Sequence, residues 1–386
     1  MLRRLSRVLP HGKRVLVRVD FNVPIARGRV EDDFRIRAAL PTIRRLIGGG
    51  NRVVLLSHHS AGGQTIAAVA ARLRELLKQP VTFIRNPASY RPRRTYGRVT
   101  LLENLRLWRG EEASSPRFAK TLTQWGDVFV NDAFSVSHRR GASLTVLPRL
   151  MPSFLGLRFE YEMRLLDRVL KRPQRPLIAV LGGAKIETKL AILQRFNRIA
   201  DLVLVGGAMA NTLIRGGGVL VGRSLSRRPT ATVRRLARSP KLLLPVDAVV
   251  VGRRGVRNVP IAGIRLDERA LDIGPSTRAL FRRSIRPGRT IVWNGPLGLI
   301  EEPIFSAGTL AVARSLARHR GFVIVGGGDT IAFIERFGLR KRFKHVSTGG
   351  GAMLAYIAGE KLPALEALKM KIAKGTQGTK GTKERE

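Results

Sequence analysis

The sequence Arg14-Val-Leu-Val-Arg-Val-Asp-Phe-Asn22 joins a β-branched run directly to polar residues. The run predicts a buried strand, Val15–Val19, with the polar residues standing at its carboxyl end. Short runs of this kind recur along the whole chain and alternate with longer amphipathic stretches. Such alternation is typical of βαβ units, so the sequence predicts an α/β fold with mostly parallel sheets covered by helices.

The predicted strands fall into two groups, and each group can build its own sheet. The first group is Val15–Val19, Val53–Leu56, Val81–Ile84, Val99–Leu102 and Val128–Val130, and the second is Leu177–Leu181, Leu202–Val205, Leu242–Leu244, Thr290–Trp293 and Phe322–Val325. Between them, Arg158–Leu170 carries apolar residues at helical spacing. We therefore expect two Rossmann-like lobes joined by a helix and followed by a basic, mobile tail. The predicted segments are 1–157, 158–172, 173–345 and, for the tail, 369–386.

The charge balance of the 386-residue chain is strongly basic. Lys and Arg number 71 against 27 Asp and Glu, a formal net charge of +44, although the charged fraction of 25% is ordinary. Acidic residues have thus been exchanged for basic ones, which suits nucleic acid, a membrane surface or phosphorylated metabolites as partners. Because the excess runs through nearly every segment, a bias of the whole proteome toward arginine explains it equally well.

Cysteine is absent from the sequence. Its absence excludes disulfides, thiolate metal ligands and a cysteine nucleophile, and it suits a reducing compartment. No apolar run reaches the length of a membrane span. We therefore expect a cytoplasmic protein with no membrane partner.

In the second half of the chain, glycines follow the predicted strands. They are Gly182-Gly183, Gly206-Gly207, Asn294-Gly295-Pro296, Gly326-Gly327-Gly328 and Gly349-Gly350-Gly351. Parallel sheets bind ligands outside the carboxyl ends of their strands, and glycine there lets backbone N–H groups approach phosphates. Neither G-x-G-x-x-G nor G-x-x-x-x-G-K-[ST] is present, so the glycines indicate a nucleotide or polyphosphate site without a standard motif.

In the first half, the strand ends carry charged and polar residues instead. The groups are Arg18-Val-Asp20-Phe-Asn22, Ser57-His58, Glu103-Asn104-Leu-Arg106 and Asn131–Arg139. Arginine and histidine with few glycines suit a small, highly anionic substrate. We infer one lobe for each of two reactants.

Several longer strings carry a resemblance to a known family. They are Val15–Pro24, Asp33–Pro41, Leu101–Arg106, Val130–Phe134, Leu181–Lys185, Ile291–Pro296, Gly326–Thr330 and Ser347–Ala352. Through these strings the chain resembles phosphoglycerate kinases from about Lys13 to about Leu365. The resemblance implies a monomer with a hinge between the lobes and with residues 346–368 returning to the first lobe. It also implies reversible phosphoryl transfer from 1,3-bisphosphoglycerate to Mg-ADP, giving 3-phosphoglycerate and ATP by in-line transfer on hinge closure.

The resemblance also implies residue roles in the first lobe. The residues that match the 3-phosphoglycerate site are Asp20, Asn22, Arg35, His58, Arg106 and Arg139. Arg35 corresponds to the catalytic arginine, whose delocalised and permanent charge suits a transferring phosphoryl group. Its neighbour Arg37 is expected to be structural. Asp20 has the same sign of charge as the substrate, so we expect it to bind a hydroxyl or to orient an arginine.

In the second lobe the resemblance implies a Mg-nucleotide site. The matching residues are Gly183, Lys185, Lys189, Gly206, Gly207, Asn294, Glu301, Gly327, Gly328, Asp329 and Thr330. Asp329 corresponds to the Mg²⁺ ligand, although its position also suits a plain helix N-cap, and Thr330 to a phosphate contact. Lys185 and Lys189 stand four apart at the start of a predicted helix, so both ammonium groups can project from one face.

Other residues of the second lobe take their expected roles from the same resemblance. Lys189, Gly350 and Gly351 correspond to catalytic groups, the glycines through backbone N–H donors at a helix N-terminus. Glu301 corresponds to a ribose contact. Gly206 and Gly207 either border the adenine pocket or simply allow close packing.

The chain departs from the family pattern in one substrate loop. Where the family has Ser-His-Leu-Gly-Arg-Pro, this chain has Ser57-His-His-Ser-Ala-Gly62, so Ala61 stands in place of an arginine. Loss of such a charged hydrogen bond weakens binding by about 10- to 150-fold unless another group replaces it. The candidates for a replacement are His59, Arg91, Arg93 and Arg94.

Two other functions stay open from the sequence. A degenerate relative that acts as a nucleic-acid-associated or scaffolding protein fits the net charge and the lysine-rich tail. A kinase with a changed carboxylate acceptor fits the altered substrate loop. Non-specific contact with nucleic acid is compatible with every alternative, since charge alone drives it.

Overall fold

The computed structural model describes residues 2–60, 63–86 and 97–369. The chain divides into two compact units. Unit 1 contains the residues through Tyr161 together with the C-terminal segment from Lys361, and unit 2 runs from Glu162 to Glu360. Each unit contains its own six-stranded sheet. The predicted α/β fold with two Rossmann-like lobes is confirmed.

Unit 1 is built on strands and helices in alternation. Its elements up to the last strand of the sheet are β1 Arg14–Arg18, β2 Ile25–Ala26, β3 Arg29–Val30, α1 Phe34–Gly48, β4 Arg52–Leu56, α2 Ala67–Leu77, β5 Thr82–Ile84, β6 Val99–Leu102, α3 Arg109–Glu112, α4 Pro116–Thr123, β7 Val128–Asn131, α5 Leu147–Leu150 and β8 Ser153–Leu155. The sheet has the order β5-β6-β4-β1-β7-β8, and each neighbouring pair is parallel. Because β1 is central, the residues that follow it reach the middle of the carboxyl edge.

Strand β1 is buried on both faces of this sheet. Val15, Leu16 and Val17 are all fully buried. Consecutive buried positions are what a parallel strand between two layers of helices requires, which explains the continuous apolar run. Val15 and Val17 pack in one hydrophobic cluster with Ile36 and Leu46 of α1. This packing fixes the strand end from which Arg18 and Asp20 extend.

The division between the units falls inside one helix, α6 Leu157–Lys171. The sequence predicted this helix over 158–172, one residue displaced at each end. Phe159, Leu166 and Val169 are buried along it at helical spacing. The boundary between the two units thus lies within the stretch whose apolar spacing predicted a helix.

Unit 2 contains a second parallel sheet and a small antiparallel one. Its elements are β9 Leu177–Leu181, α7 Leu190–Ile199, β10 Leu202–Val205, α8 Gly207–Gly216, α9 Ala231–Ala237, β11 Leu242–Leu243, β12 Asp247–Gly252, β13 Gly255–Pro260, β14 Arg269–Ile273, α10 Pro275–Ile285, β15 Thr290–Asn294, α11 Ala307–Ala317, β16 Phe322–Gly326, α12 Gly328–Arg336, β17 His345–Val346 and α13 Gly350–Ala358. The parallel sheet has the order β11-β10-β9-β15-β16-β17. Its carboxyl edge carries the glycines that the sequence placed after the strands.

The last described helix, α14 Pro363–Lys369, belongs to unit 1. Ala364 packs against Val136 and Leu144, and its N–H donates to the Ser137 carbonyl at 3.1 Å. The segment 346–368, predicted to return to the first lobe, divides after Glu360, and only the part from Lys361 lies in unit 1. Of the predicted tail 369–386, all but the first residue lies outside the described residues.

The antiparallel sheet β13-β12-β14 was not predicted. β12 and β13 form a tight hairpin in which Gly252 pairs with Gly255 across Arg253-Arg254. A regular alternation of strands and helices leaves no place for such a hairpin, although the valine run at 249–251 was a signal for it. The strands β2, β3, β8 and β17 have only two or three residues and were missed, whereas the equally short β5 and β11 were predicted because they lie in longer apolar runs.

The helices are short for a chain of this length. Among the described residues the longest are α1 and α6, with 15 residues each. A helix that crosses a bilayer needs about 20 mostly apolar residues. Across the described ranges, every helix lacks the length or the apolar character for a membrane crossing.

Candidate active site

Unit 1 contains a cavity of about 170 Å³ at the carboxyl ends of β1 and β4. Its lining includes three of the predicted substrate residues, His58, Arg106 and Arg139. Arg18 and Arg140 line it as well. Several guanidinium groups around so small a space favour a compact anion with more than one charge.

Two glutamates also line this cavity, and both have partners. Glu112 pairs with Arg106 at 3.3 Å and is 68% exposed. Glu111 is buried and accepts hydrogen bonds from the Ser143 N–H and hydroxyl at 2.9 and 2.6 Å. Because exposed ion pairs contribute little, Arg106 can exchange Glu112 for an anionic ligand at small cost.

Arg18 is a site residue that the sequence-based list omitted. Its side chain is almost completely buried, and its Nε donates to the Ser143 hydroxyl at 2.9 Å and Nη1 to the Val19 carbonyl at 2.7 Å. Burial lowers the pKa of the guanidinium, while Glu111 and Asp20 counteract that effect. The signal in the sequence was an arginine inside an otherwise apolar strand, which is costly unless the charge has a use.

His58 is neutral in this setting. Burial lowers the pKa of His58 to about 3, and the nearby charge of Arg18 adds to the effect, while Asp20 opposes it. Nη2 of Arg18 donates to Nδ1 of His58 at 3.2 Å. The neutral ring therefore carries its hydrogen on Nε2, where it can donate to an anionic or hydroxyl oxygen.

Asp20 and Arg35 do not line the cavity but form an ion pair with each other. The Arg35 Nη1 lies 2.7 Å from Asp20 Oδ2. Burial acts to raise the pKa of Asp20, but the Arg35 guanidinium and the Ser135 hydroxyl hold it below its usual value. A permanently charged Asp20 orients Arg35, which is one of the two roles expected for it.

Asn22 and Arg37 are also held by neighbouring residues. The Asn22 side-chain oxygen accepts from the Ser60 N–H and hydroxyl, both at 3.0 Å. Arg37 pairs with Asp33 at 2.7 Å at the start of α1 and is 53% exposed. Asn22 thus shapes the beginning of the substrate loop, and Arg37 has the structural contact expected of it.

In unit 2, two glycine turns cross at the carboxyl ends of β9 and β15. The Gly182 N–H donates to the Asn294 carbonyl at 3.0 Å. A Cβ on Gly182 would overlap the Pro296 carbonyl, and one on Gly295, whose φ is +95°, would overlap the Gly182 carbonyl. Only glycine permits two backbones to approach this closely. We call this contact between the two turns the glycine crossing, and Lys189 packs against it.

Lys189 reaches this crossing, but Lys185 does not share a helical face with it. Helix α7 begins only at Leu190, after a single 3₁₀ turn over Glu187–Lys189, so the predicted pairing of the two lysines on one face is wrong. Nζ of Lys189 donates to the Gly182 carbonyl at 2.5 Å. Burial lowers the pKa of Lys189 to about 8, and Asp329 opposes the shift. Lys185 is exposed in the preceding turn.

A cavity of about 200 Å³ adjoins the crossing. Gly183, Gly207, Glu301 and Asp329 of the predicted nucleotide site line it. An apolar wall that the sequence did not indicate completes it with Ala208, Pro245, Leu271, Pro296, Leu297 and Leu299. Gly206 lies beside it and packs on Leu297, where a Cβ would come within 2.7 Å of Cδ2. Of the two expected roles, Gly206 thus has close packing and Gly207 lines the pocket.

Asn294 is the last residue of β15, and Thr330 lies in the first turn of α12, which follows β16. Nδ2 of Asn294 is buried and has no hydrogen-bond partner among the described residues. A buried amide donor without a partner costs free energy, so it indicates a ligand position. Thr330 is fully buried, and its hydroxyl accepts from the Gly295 N–H at 2.8 Å, which fixes the glycine turn.

Asp329 lies in the first turn of α12, where it is exposed. The N-cap of this helix is Gly327, with φ of +99°, and not Asp329. The carboxylate is therefore not used for capping. It stands beside Gly328 at the mouth of the cavity, on the side of Lys189.

Glu162 holds the segment in front of the third glycine cluster. Its fully buried carboxylate accepts from the Ser347 hydroxyl at 2.7 Å and from the Thr348 N–H and hydroxyl at 2.8 and 2.9 Å. Gly350, with φ of +48°, then begins α13. Glu162 thus positions the N-terminus to which Gly350 and Gly351 contribute. A glutamate on an amphipathic helix gave no sign of this role in the sequence.

Comparisons with known proteins agree with this geometry. The family model for phosphoglycerate kinase matches residues 5–360. The chain is 43% identical to the phosphoglycerate kinase of Rubrobacter xylanophilus, over 92% of this chain and 95% of that protein. It is 42% identical to that of Thermus thermophilus, over 95% and 100%. The solved structures of the kinases from Coxiella burnetii and Pyrococcus horikoshii each give a TM-score of 0.83, at 34% and 33% identity, and each covers 95% of this chain and 99% or 98% of its own.

Proposed function

The chain belongs to the phosphoglycerate kinase family, and from this we propose how its residues divide the reaction between the two units. It is a phosphoglycerate kinase, which transfers a phosphoryl group to and from a carboxyl group. The degenerate relative is not favoured by the comparisons. We propose that unit 1 binds 3-phosphoglycerate or 1,3-bisphosphoglycerate and that unit 2 binds ADP or ATP.

The observation that carries the acceptor site is the cavity of unit 1. Arg18, Arg106, Arg139 and Arg140 surround it, and neutral His58 adds an uncharged donor. Guanidinium groups match phosphate and carboxylate geometry with paired N–H donors. The phosphate of 3-phosphoglycerate fits this chemistry, and the ion pair with Asp20 holds Arg35 for the carboxyl end.

The nucleotide proposal rests on the crossing and cavity of unit 2. The apolar wall with Leu271 and Leu299 suits the flat face of an adenine, and Glu301 suits a ribose hydroxyl. The unpartnered amide of Asn294 and the ammonium of Lys189 stand where the phosphates would lie. The predicted phosphate contact of Thr330 stays a prediction, since its oxygen already accepts from Gly295.

The chemistry asks for positioning and positive charge rather than for a nucleophile on the protein. An oxygen of the 3-phosphoglycerate carboxylate attacks the γ-phosphorus of ATP, the bond to the β–γ bridging oxygen breaks, and ADP leaves; the reverse reaction retraces this path. The transition state is loose and spreads charge over the equatorial oxygens. Arg35, Lys189 and the N–H groups of Gly350 and Gly351 are the donors that we assign to this charge. The hinge closure that the family resemblance implies remains a prediction.

Mg²⁺ fits the donor set of unit 2. Mg²⁺ is typically held by one or two carboxylates together with substrate phosphates and waters. Asp329 is one exposed carboxylate at the mouth of the cavity, and the described residues contain no cluster of three acidic or histidine side chains that would hold a metal alone. We therefore assign Asp329 as the protein ligand of the magnesium that accompanies the nucleotide, where it would neutralise phosphate charge.

Arg140 is the replacement that we propose for the arginine missing at position 61. Ala61, Arg91, Arg93 and Arg94 lie outside the described residues. His59 is buried, and its Nε2 lies 2.9 Å from the Val23 carbonyl, so the ring is turned toward the backbone. Arg140, in contrast, is exposed and lines the cavity next to Arg139.

Replacing Arg140 should weaken binding of the acceptor alone. For Arg140→Ala we expect the KM for 3-phosphoglycerate to rise by about tenfold or more, since a charged hydrogen bond contributes roughly 1.5–3 kcal/mol. The KM for ATP should be unchanged. Steady-state kinetics measures both, with Arg117→Ala, an exposed arginine of α4, as the control. An Arg140→Ala enzyme with an unaltered KM for 3-phosphoglycerate would contradict the assignment.

The overall function is tested by a coupled assay with Mg-ATP and 3-phosphoglycerate. We expect turnover that depends on both substrates and on magnesium. Turnover with another carboxylate acceptor but none with 3-phosphoglycerate would favour the changed-acceptor alternative.

We further propose a cytoplasmic monomer, because the lack of cysteine suits a reducing compartment and the charge of +44 opposes self-association. Sedimentation at a single monomer mass would support the last point.

A further inference from the structure

Unit 2 has an open groove of about 1350 Å³ at the edge of its parallel sheet opposite to the nucleotide site. The groove is lined by the end of α10, the end of α11 and the two loops that follow them. Arg289 immediately precedes β15, and Gly321 immediately precedes β16, so the groove lies at the amino ends of these strands. It therefore plays no part in the nucleotide site, which occupies the carboxyl ends.

Six arginines line this groove, and we call it the arginine groove. They are Arg282, Arg283, Arg286, Arg289, Arg318 and Arg320. All six are exposed, and the lining contains no Asp or Glu. The sequence has no acidic residue from 273 to 300 or from 303 to 328, the stretches that build the groove. Its positive charge is thus uncompensated along the chain as well as in space.

The guanidinium groups of the arginine groove also lack partners. Within the described residues, none of the six forms a side-chain hydrogen bond or an ion pair. Other arginines of the same unit do pair, such as Arg257 with Glu268 at 2.7 Å and Arg175 with Asp201 at 2.6 Å. Isolated arginines such as Arg238 and Arg254 also lack an ion pair with any described residue, so the clustering of six in one groove is what distinguishes this surface. Six unpaired charges in one groove repel each other, and a bound anion would relieve that repulsion.

The two loops of the groove are fastened to each other by His319. Its Nδ1 accepts from the Gly321 N–H at 2.9 Å, so Nε2 carries the hydrogen and donates to the Arg286 carbonyl at 3.3 Å. A Cβ on Gly321 would come within 2.8 Å of the Gly288 carbonyl, so the loop backbones are in contact. The groove is therefore preorganised, and ligand binding would not have to order its backbone.

Helix dipoles do not account for all of this charge. Arginines near helix C-termini interact favourably with the dipole, which suits Arg282, Arg283 and Arg318. Arg289 and Arg320 lie beyond the helices, next to the strands. The dipole effect falls off within the last turn, so it does not account for these two arginines.

The lining decides what kind of anion fits. It contains no Phe, Tyr or Trp, so it offers no platform of large aromatic rings for base stacking, and contacts to the phosphates would dominate binding. None of the large exposed hydrophobic side chains of the described residues lies there, which disfavours insertion into a membrane. Six unpaired guanidinium groups around one open groove suit a ligand that carries several phosphates in a chain. We propose that the arginine groove binds the phosphodiester backbone of nucleic acid, independently of sequence and of the kinase reaction.

The proposal is tested by binding of the full-length protein to a labelled mixed-sequence 20-mer, single-stranded and duplex, across a salt series. One variant removes four groove charges by Arg286→Gln, Arg289→Gln, Arg318→Gln and Arg320→Gln. The control removes four exposed charges of the same unit that do not line the groove, by Arg228→Gln, Arg238→Gln, Arg253→Gln and Arg254→Gln. Both variants should keep wild-type kinase turnover, which shows that they are folded.

We expect the groove variant to bind at least tenfold more weakly at physiological salt. The slope of log affinity against log salt concentration should become shallower by about 3, since each phosphate that the protein neutralises contributes about 0.7–0.9 to it. The control should change far less on both measures. Equal losses in the two variants would overturn the proposal, because binding would then follow net charge alone. Two other results would also overturn the proposal. One is wild-type binding to nucleic acid that vanishes at physiological salt. The other is a groove variant that keeps its binding to nucleic acid but loses binding to phosphatidylserine vesicles, measured in parallel.

Discussion

Lys189 is a buried lysine whose surroundings disfavour the charged form of its side chain. Its pKa is lowered to about 8 by burial, so the ammonium of the free enzyme loses its proton near that pH. Phosphate binding needs the protonated form, and therefore nucleotide affinity should fall as pH rises through 8. We predict an alkaline decline in kcat/KM for ATP, measured from pH 6.5 to 9.5 with saturating 3-phosphoglycerate.

A lysine-to-arginine exchange provides the control for this decline. The guanidinium of Lys189→Arg stays charged throughout that pH range. The variant should lose activity overall, because the buried position beside Gly182 is shaped for an ammonium, but its alkaline limb should disappear. A limb that persists near pH 8 in Lys189→Arg would assign the titration to another group.

His58 should not titrate in the physiological range. Its pKa is lowered to about 3 by burial and by the Arg18 guanidinium, so the ring is neutral at every pH from 5 to 8. We predict that the ring carbon resonances of His58 stay constant over that range in a pH series of NMR spectra. Comparison with His58→Gln identifies the signal. A titration near pH 6.5 would show that Arg18 does not face the ring as described.

The sequence could predict charged residues that stand beside a recognisable strand end. His58 and Arg139 belong to this class, whereas Arg35, in the first turn of α1, is indicated only by the family resemblance. Its place inside an apolar strand marked Arg18 as unusual, but the sequence could not show that the side chain is buried beside a cavity. Nor could it select Arg140, since only the folded loop brings that side chain to the cavity lining.

At the scale of elements, one carboxylate connects α6 to the start of α13. The buried Glu162 accepts three hydrogen bonds from Ser347 and Thr348. We predict that Glu162→Gln lowers the free energy of unfolding of the protein by about 2–3 kcal/mol, because hydrogen bonds to a charged group contribute roughly 1.5–3 kcal/mol each. Denaturant titration measures this loss, and hydrogen exchange should show faster exchange at Gly349–Gly351.

An exposed carboxylate gives the matching control. Glu366 pairs with Lys369 on α14, where both side chains are more than 40% exposed. Glu366→Gln should change the free energy of unfolding by less than about 0.5 kcal/mol, since exposed pairs contribute little. Similar losses of unfolding free energy in both variants would mean that the buried Glu162 stabilises the protein no more than an exposed carboxylate does.

Elements were predictable where their length let a pattern develop. The buried runs of β1, β9 and β15 and the apolar spacing of α6 extend over five or more residues and stand out in the sequence. β8 and β17 are recognised only through their neighbours, because pairing with β7 and β16 makes them strands. The start of α7 at Leu190 was also not readable, since the glycine crossing before it decides how the chain enters the helix.

At the scale of the whole molecule, the chain separates an arginine-lined cavity in unit 1 from a glycine-rich one in unit 2. The charge of +44 is distributed over both units, so it raises the local concentration of anionic substrates around each. Salt screens this long-range attraction strongly, whereas it screens the contacts within each cavity much less. Catalysis should therefore depend on a few placed arginines and not on net charge.

The most direct measurement of this claim compares two arginines of one helix. Arg35 is held by Asp20 at 2.7 Å, and Arg37 by Asp33 at 2.7 Å on the exposed side. Removing either changes the net charge equally. In the coupled assay with Mg-ATP and 3-phosphoglycerate, we predict that Arg35→Ala lowers kcat by about 10³-fold, as loss of a transition-state donor does, while Arg37→Ala stays within about twofold of wild type. Unchanged turnover in Arg35→Ala, or equal losses in both variants, would contradict the account.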